Sequence, residues 1–453
     1  MSIERTQLLI IGGGPAGTQA ATTAAARGAS VTLVEKDIVG GAAHLWDCIP
    51  SKTMAASALR HTSVRNAVKL GLMTNPSEVD TDVLASRIRE ITSDINSNSV
   101  ELLTSQGVAL LDGFGSFTGP NSATIALSDG TTTEIGFEKA LISTGSAPRV
   151  PPWAPADGMK VLTSRDCYDL DVVPEHLVVV GSGVTGVEFV HIFESLGSKV
   201  TLVVSRQQIL PHRDAEVAAV LEEDFLERGV KLIIGARAES IDVDGDTVTV
   251  KCDDGRVIKG THVLLAVGSV PLTDNMGLDS LGLETDRGYL AVDEFQRTSL
   301  PHIYAAGDVT GQMLLSSVAS MQGRKIAHHA LGLPVTPLDY SNVAEAIFTE
   351  PEIASVGLVE VEAAAVGRKV RTTKVPFASN ARSVLQHFTR GFVKVTSDPA
   401  TGVVLGGTIV GHRASELIGV IALAVQARVT AATLVDTLMV HPSMTEAISD
   451  AAE

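Results

Sequence analysis

Three observations make this an α/β chain. A short apolar run that ends in a glycine-rich turn, then a helix-compatible stretch and a second apolar run, occurs twice, roughly 170 residues apart. The composition, 45% hydrophobic with 41 glycines in 453 residues, suits a fold with many tight strand-to-helix turns. From about residue 337 the pattern changes to alternating strand-like and helix-like stretches with no glycine fingerprint. At ~150 residues per domain the length makes about three domains, each with material for a core.

Composition also excludes several functions. A net charge of −17 repels a nucleic-acid backbone, and 4% aromatics leaves few stacking platforms for single strands. The three cysteines, Cys48, Cys167 and Cys252, are too few and too far apart for a disulfide framework or a zinc site. No metal is expected, and the compartment is a reducing one. The chain starts Met-Ser-Ile-Glu-Arg-Thr-Gln and runs straight into a strand, without a charged-then-apolar leader. No apolar run reaches the ~18 residues of a membrane span, so the expectation is a cytoplasmic protein.

In order along the chain, Leu8–Ile11 is the first strand, and Gly12-Gly13-Gly14-Pro15-Ala16-Gly17 turns it into a helix over Thr18–Arg27. Val31–Val34 is the next strand, with Glu35 at its end. Gly12 permits the tight turn, Gly14 lets a pyrophosphate approach the backbone, and Gly17 lets helix pack on strand. Glu35 is placed to accept hydrogen bonds from an adenosine ribose. The unit recurs with Leu177–Val180, Gly181-Ser182-Gly183-Val184-Thr185-Gly186, a helix to about Leu196 and the strand Val200–Val204. Two Rossmann-like dinucleotide-binding units in one chain suggest one dinucleotide held tightly and one exchanged, the logic of a flavin enzyme fed by NAD(P)H.

Further segments carry a family resemblance. They are Gly40-Gly41-Ala42-Ala43-His44-Leu45-Trp46-Asp47-Cys48-Ile49-Pro50-Ser51-Lys52, the strand end Ala140–Pro148, Val263–Val267 with Gly268-Ser269-Val270-Pro271, and Ile303-Tyr304-Ala305-Ala306-Gly307-Asp308. Towards the end come Ala346–Ile353, Gly391–Val395, Leu405–Gly407, Ala414–Ile418 and His441-Pro442-Ser443-Met444-Thr445-Glu446. In this order they resemble the flavoprotein disulfide reductases, over residues 8–446.

The resemblance implies an FAD domain over 1–150 and 271–336, an NAD(P) domain over 151–270, and a C-terminal α+β dimerisation domain over 337–453. It implies that Asp308 binds the ribityl chain of FAD. A helix over Leu314–Leu331 would bring its first amides, at Leu314, Leu315 and Ser316, towards the flavin. Gly41, Gly115, Thr144, Gly145, Ser146 and Gly268 complete the expected cofactor contacts. Lys52 and Glu188 fall on positions that pair beside the flavin. His441 and Glu446 fall on the pair that reaches into the partner subunit's active site in a homodimer.

The departures matter most. The family's redox segment carries two cysteines five residues apart; here the second is Cys48 and the first is Ala43. Dithiol–disulfide exchange needs one thiolate to attack and another to resolve, so that cycle stops. Asp47, usually glycine in the family, sets a carboxylate beside Cys48, against which Lys52 is a counterweight. Trp46 is open between core packing and stacking an aromatic acceptor, and His44 reads as a turn residue. Ser269, Leu272 and Ser443 are smaller drifts from the pattern. Cys167 and Cys252 read as small buried hydrophobes.

The resemblance thereby implies an NAD(P)H:quinone oxidoreductase of diaphorase type, like a subgroup that lacks the disulfide, with His441 and Glu446 protonating the reduced acceptor. One alternative keeps Cys48 as a single-thiol disulfide or peroxide reductase; another is a non-catalytic flavoprotein subunit. The position that carries an acid in NAD users is Val204, and Ser205-Arg206 follows, where Arg206 favours the 2′-phosphate of NADPH over NADH.

Overall fold

The computed structural model describes residues 4–73 and 78–453. The chain forms two compact units, one of residues 1–51, 85–149 and 268–338, the other of residues 52–84, 150–267 and 339–453.

The first unit is organised by a sheet in which the strand Glu4–Ile11 pairs in parallel with Val31–Glu35 on one side and Thr132–Ile142 on the other. Ile303–Ala305 extends it in parallel beyond Thr132–Ile142, and Ala109–Gly119 beyond Val31–Glu35. Ser122–Leu127 runs antiparallel to both Ala109–Gly119 and Thr132–Ile142. The central strands are continuous apolar runs because both faces are buried. One face packs on the helices Pro15–Ala25 and Ser316–Ala330 through Leu8, Ile10, Leu33, Leu141 and Tyr304. The other holds Leu9, Ile11, Phe117, Phe137 and Ile142.

The first helix starts three residues before the expected Thr18, because Pro15, with its fixed φ and no N–H to satisfy, suits the first helical position. The helix expected from Leu314 starts at Ser316, since Leu315 is extended (φ −133°, ψ 133°) and caps it. His44, read as a turn residue, lies in the π-helical turn Ala43–Asp47, which leads into the helix Ile49–Asn66.

The second unit holds a five-stranded parallel sheet ordered Lys231–Ile234, Lys199–Val204, His176–Val180, His262–Leu265, Val161–Thr163. The expected strand Val263–Val267 stops at Leu265, where Ala266 turns its amide to the Val180 carbonyl. A three-stranded antiparallel sheet over Ala238–Gly260 packs on it. A separate antiparallel sheet of five strands, from Glu345 to Gly411, carries the helix Ala414–Gln426 on one face. Parallel sheet followed by antiparallel sheet with a covering helix is the α/β-then-α+β order read from the sequence.

Candidate active site

The two glycine turns show the same division of labour. At Gly12 (φ +104°) and Gly181 (φ +113°) a Cβ would land on the carbonyl of Ser143 or Ala266. At Gly17 and Gly186 it would land on the carbonyl of Gly12 or Gly181. These four are glycine because backbone touches backbone. Gly14 is different: its Cβ would meet nothing nearer than the Ser143 carbonyl at 3.9 Å, and at Gly183 nothing within 4 Å. The middle glycine of each turn faces open space at a helix N-terminus, which is the cradle a pyrophosphate needs.

Glu35 ends its strand with both carboxylate oxygens engaged. Oε2 accepts from the Gly13 amide at 2.6 Å, and Oε1 from the Lys36 and Asp37 amides at 2.8 and 2.9 Å. Burial raises its pKa, against the lowering effect of those amides. Each oxygen has about two lone pairs, so Oε2, with one amide on it, has room for a further donor. In the same unit Ser146 donates to Asp308 Oδ2 at 2.7 Å, and burial raises the Asp308 pKa against that bond. Thr144 donates to the Leu272 carbonyl at 2.6 Å, and Gly145 accepts from the Leu272 amide, which ties these two segments together. Gly268 takes φ +97° and Gly145 φ +73°, both with open space where a side chain would be. A Cβ on Gly41 would meet Gly14, and one on Gly115 would meet Ile11. Leu314 is exposed and lies before the helix.

In the π-helical turn the Cys48 amide donates to the Ala43 carbonyl at 3.1 Å, an i→i+5 bond spanning the two positions that carry cysteines in the resembled family. Ala43 is buried. Cys48 is half-buried, and its Sγ lies 3.3 Å from Oγ of Ser316, the first residue of the helix Ser316–Ala330. All three cysteines are free thiols, and Cys167 and Cys252 are buried, with burial pushing both thiols up. His44 is half-buried; its Nδ1 has no hydrogen-bond partner, and burial lowers its pKa.

In the second unit Lys52 Nζ donates to Glu188 Oε2 at 2.9 Å, with Glu188 buried and Lys52 one-third exposed. His441 Nδ1 lies 2.7 Å from Glu446 Oε1, and Glu446 Oε2 accepts from the Ser443 amide at 2.8 Å. That amide first, then His441, holds the Glu446 carboxyl below its ordinary range. His441 is 74% exposed, so its ring projects from this chain. Ser205 and Arg206 lie exposed beyond the strand Lys199–Val204.

Three residues escaped the sequence reading. Asn96 accepts from the Val39 amide at 3.0 Å, fixing the loop before Gly40. Buried Asn380 donates to the Ser443 carbonyl at 2.9 Å, holding the tail that carries His441 and Glu446. Phe348 donates its amide to Glu188 Oε1 at 2.9 Å. Their partners lie 57, 63 and 160 residues away, so no local pattern marks them. Among the described residues no cluster of His, Cys, Asp and Glu is fit to hold a metal ion, and no helix is long and apolar enough to cross a membrane.

Two glycine turns at helix N-termini, a Gly-Asp turn after the strand Ile303–Ala305 and a histidine–carboxylate pair are features of one class: a flavoprotein oxidoreductase that uses a second dinucleotide. Comparison with known proteins names the family. Residues 6–323 match the pyridine nucleotide-disulphide oxidoreductase model and residues 343–452 its dimerisation domain, and the chain belongs to that family. The family uses FAD and NAD(P)H, and the dimerisation domain supports a homodimer. An NAD(P)H dehydrogenase (quinone) from Mycobacterium tuberculosis strain H37Rv is 43% identical, over 99% of this chain and 93% of that one. A dihydrolipoyl dehydrogenase from Chlorobaculum tepidum is 35% identical, over 98% and 95%. The crystal structure of LpdA from Mycobacterium tuberculosis superposes with a TM-score of 0.94 at 43% identity, covering 99% of each chain.

Proposed function

We propose that this protein is an NAD(P)H:quinone oxidoreductase of diaphorase type, which passes electrons to a quinone-type small molecule and not to a disulfide, in the cytoplasm. One observation carries the reading: the segment that holds two cysteines in the family is a π-helical turn here, with Ala43 buried in place of the first and every thiol free. The name of the 43%-identical relative, NAD(P)H dehydrogenase (quinone), supports it.

On this reading residues 1–150 and 271–336 bind FAD, 151–270 bind NAD(P)H, and 337–453 form the dimer interface. FAD, when bound, supplies the two-electron chemistry. The residues present fit it: Gly14 leaves the pyrophosphate its space, Glu35 Oε2 has room for a ribose hydroxyl, and Asp308, oriented by Ser146, offers a half-buried acceptor. Gly183 is the matching space for NAD(P)H, and Arg206 the cation for a 2′-phosphate. Lys52, anchored by Glu188, holds positive charge beside the flavin position. Glu446 fixes the His441 ring through Nδ1, which leaves Nε2 to deliver a proton to the developing hydroquinone oxygen in the partner's site. Cys48 is a bystander in this scheme.

The test follows flavin bleaching by NADPH or NADH in the purified flavin-loaded protein, then adds a quinone, a dithiolane disulfide or peroxide. Quinone turnover is expected to survive Cys48→Ser to within about twofold, and to fall ~100-fold in His441→Ala while flavin reduction is kept. Loss of all turnover in Cys48→Ser would move the assignment to single-thiol chemistry. Absence of bleaching would leave a non-catalytic flavoprotein.

A further inference from the structure

The Lys52–Glu188 ion pair is built by more than its two members. Glu188 stands two residues beyond the last fingerprint glycine, on the helix Val184–Leu196, with its carboxylate buried. Its Oε2 takes the Lys52 ammonium and its Oε1 takes the backbone N–H of Phe348, each at 2.9 Å. Phe348 also sets its ring under that ammonium, with Lys52 Nζ 4.9 Å from the ring centroid. One residue thus contacts both members of the pair, with its main chain on the acid and its side chain on the base.

The chain holds Phe348 still for this task. The ladder of Glu345–Ile347 with Glu352–Gly357 ends at the pair Ile347–Ile353, so the Phe348 amide is released from the sheet where it meets Glu188. The flanking Ile347 and Thr349 are buried, and Thr349 is tied to the Pro351 carbonyl at 2.6 Å. Lys52 is the mobile partner. An ammonium on a four-carbon stem, one-third exposed, has many rotamers that still touch one carboxylate oxygen. A ring face beneath it and a carboxylate that cannot rotate leave one place for the charge.

We infer that Phe348 is a positioning residue for Lys52: it fixes where the positive charge stands and through it how readily the bound flavin accepts electrons. This rests on the reading that Lys52 lies beside the flavin.

The experiment compares Phe348→Leu, Phe348→Tyr and Lys52→Met holoenzymes by flavin midpoint potential and by the rate of flavin reduction with NADPH. Phe348→Leu is expected to lower the potential by ~30 mV, a tenfold change in a two-electron equilibrium, and to slow reduction several-fold. Phe348→Tyr keeps the ring and is expected to keep both values, which a general packing defect would not allow. A readout independent of electron transfer is amide exchange in a peptide spanning residues 346–350, which is expected to speed up in Glu188→Ala. If Lys52→Met shifts the potential and Phe348→Leu does not, the positioning role is overturned and the place of Lys52 stands. If neither shifts it, the assignment of Lys52 to the flavin falls with it. The quinone assignment is untouched by either result, being read from acceptor turnover.

Discussion

The two fingerprint units share a backbone and differ in what their helices bury. In the first, Pro15–Ala25 buries Ala16, Gly17, Ala20, Ala21 and Ala24. It lies so close to Ser316–Ala330 that a Cβ on Gly323 would meet the Ala16 carbonyl. This seam contains small residues and no charge. In the second, Val184–Leu196 buries Phe189, Ile192 and Phe193, and also Glu188, His191 and Glu194. Those polar groups meet cations from distant segments: Lys52 on Glu188, Arg228 on His191 and Glu194, and Arg65 on Glu194. A dinucleotide that stays bound needs a shape that does not change. One that comes and goes, on the proposed reading, sits on a helix tied by charge to the rest of its unit.

The sharpest way to break this comparison is at the backbone contacts that both units share. Gly17→Ala and Gly186→Ala place a methyl on a main-chain carbonyl that cannot yield, and each is expected to cost ~3 kcal/mol or more in urea unfolding. Equal losses would support a common frame; a silent Gly186→Ala would refute it.

The second test is pH, and it belongs to the polar helix alone. His191 is fully buried, accepts from Arg228 Nη1 at 3.1 Å, and is pushed down to about 3 by burial first and Arg228 second. Below its ordinary 6.5 the unfolded chain takes up a proton that the folded chain refuses until about 3, so stability is lost as pH falls through that window. The slope reaches ~1.4 kcal/mol per pH unit. His191→Gln is expected to flatten that part of the acid limb and to leave stability above pH ~7 with no added pH dependence.

Smaller and more specific effects follow at the open glycines. Gly14→Ala and Gly183→Ala have room for the methyl and are expected to keep stability within ~0.5 kcal/mol. Gly14→Ala should yield protein short of flavin, whereas Gly183→Ala should keep flavin and raise the KM for NADPH ~tenfold. The reverse pattern would exchange the roles of the two units. Smallest is Arg206→Ser, expected to raise the KM for NADPH a few-fold and leave that for NADH unchanged.

What the sequence disclosed followed from how many residue types a position tolerates. The fingerprints could be read because contact between carbonyl and Cα admits glycine alone, and Ala43 because a missing sulfur is visible as a letter. The π-helical turn was not legible: Ala-His-Leu-Trp-Asp has no composition that separates an i→i+5 bond from an irregular turn. Nor was the start of the helix Ser316–Ala330, since Leu314-Leu315-Ser316 offers no side-chain cap and the backbone alone decides. Lys52 and Glu188 were paired by family resemblance, across 136 residues, while Phe348, its amide committed to Glu188, stood within a quoted motif and received no role.

The turn around Ala43 has one more consequence. Its closure is an amide bonded to a carbonyl, so nothing in its shape depends on the state of a sulfur–sulfur bond. In a reductase with a dithiol at these two positions, the bond that bridges them is made and broken once per cycle. Here the closing bond is main-chain and carries no redox state, so a site bounded by the turn keeps one edge that no disulfide step makes or breaks.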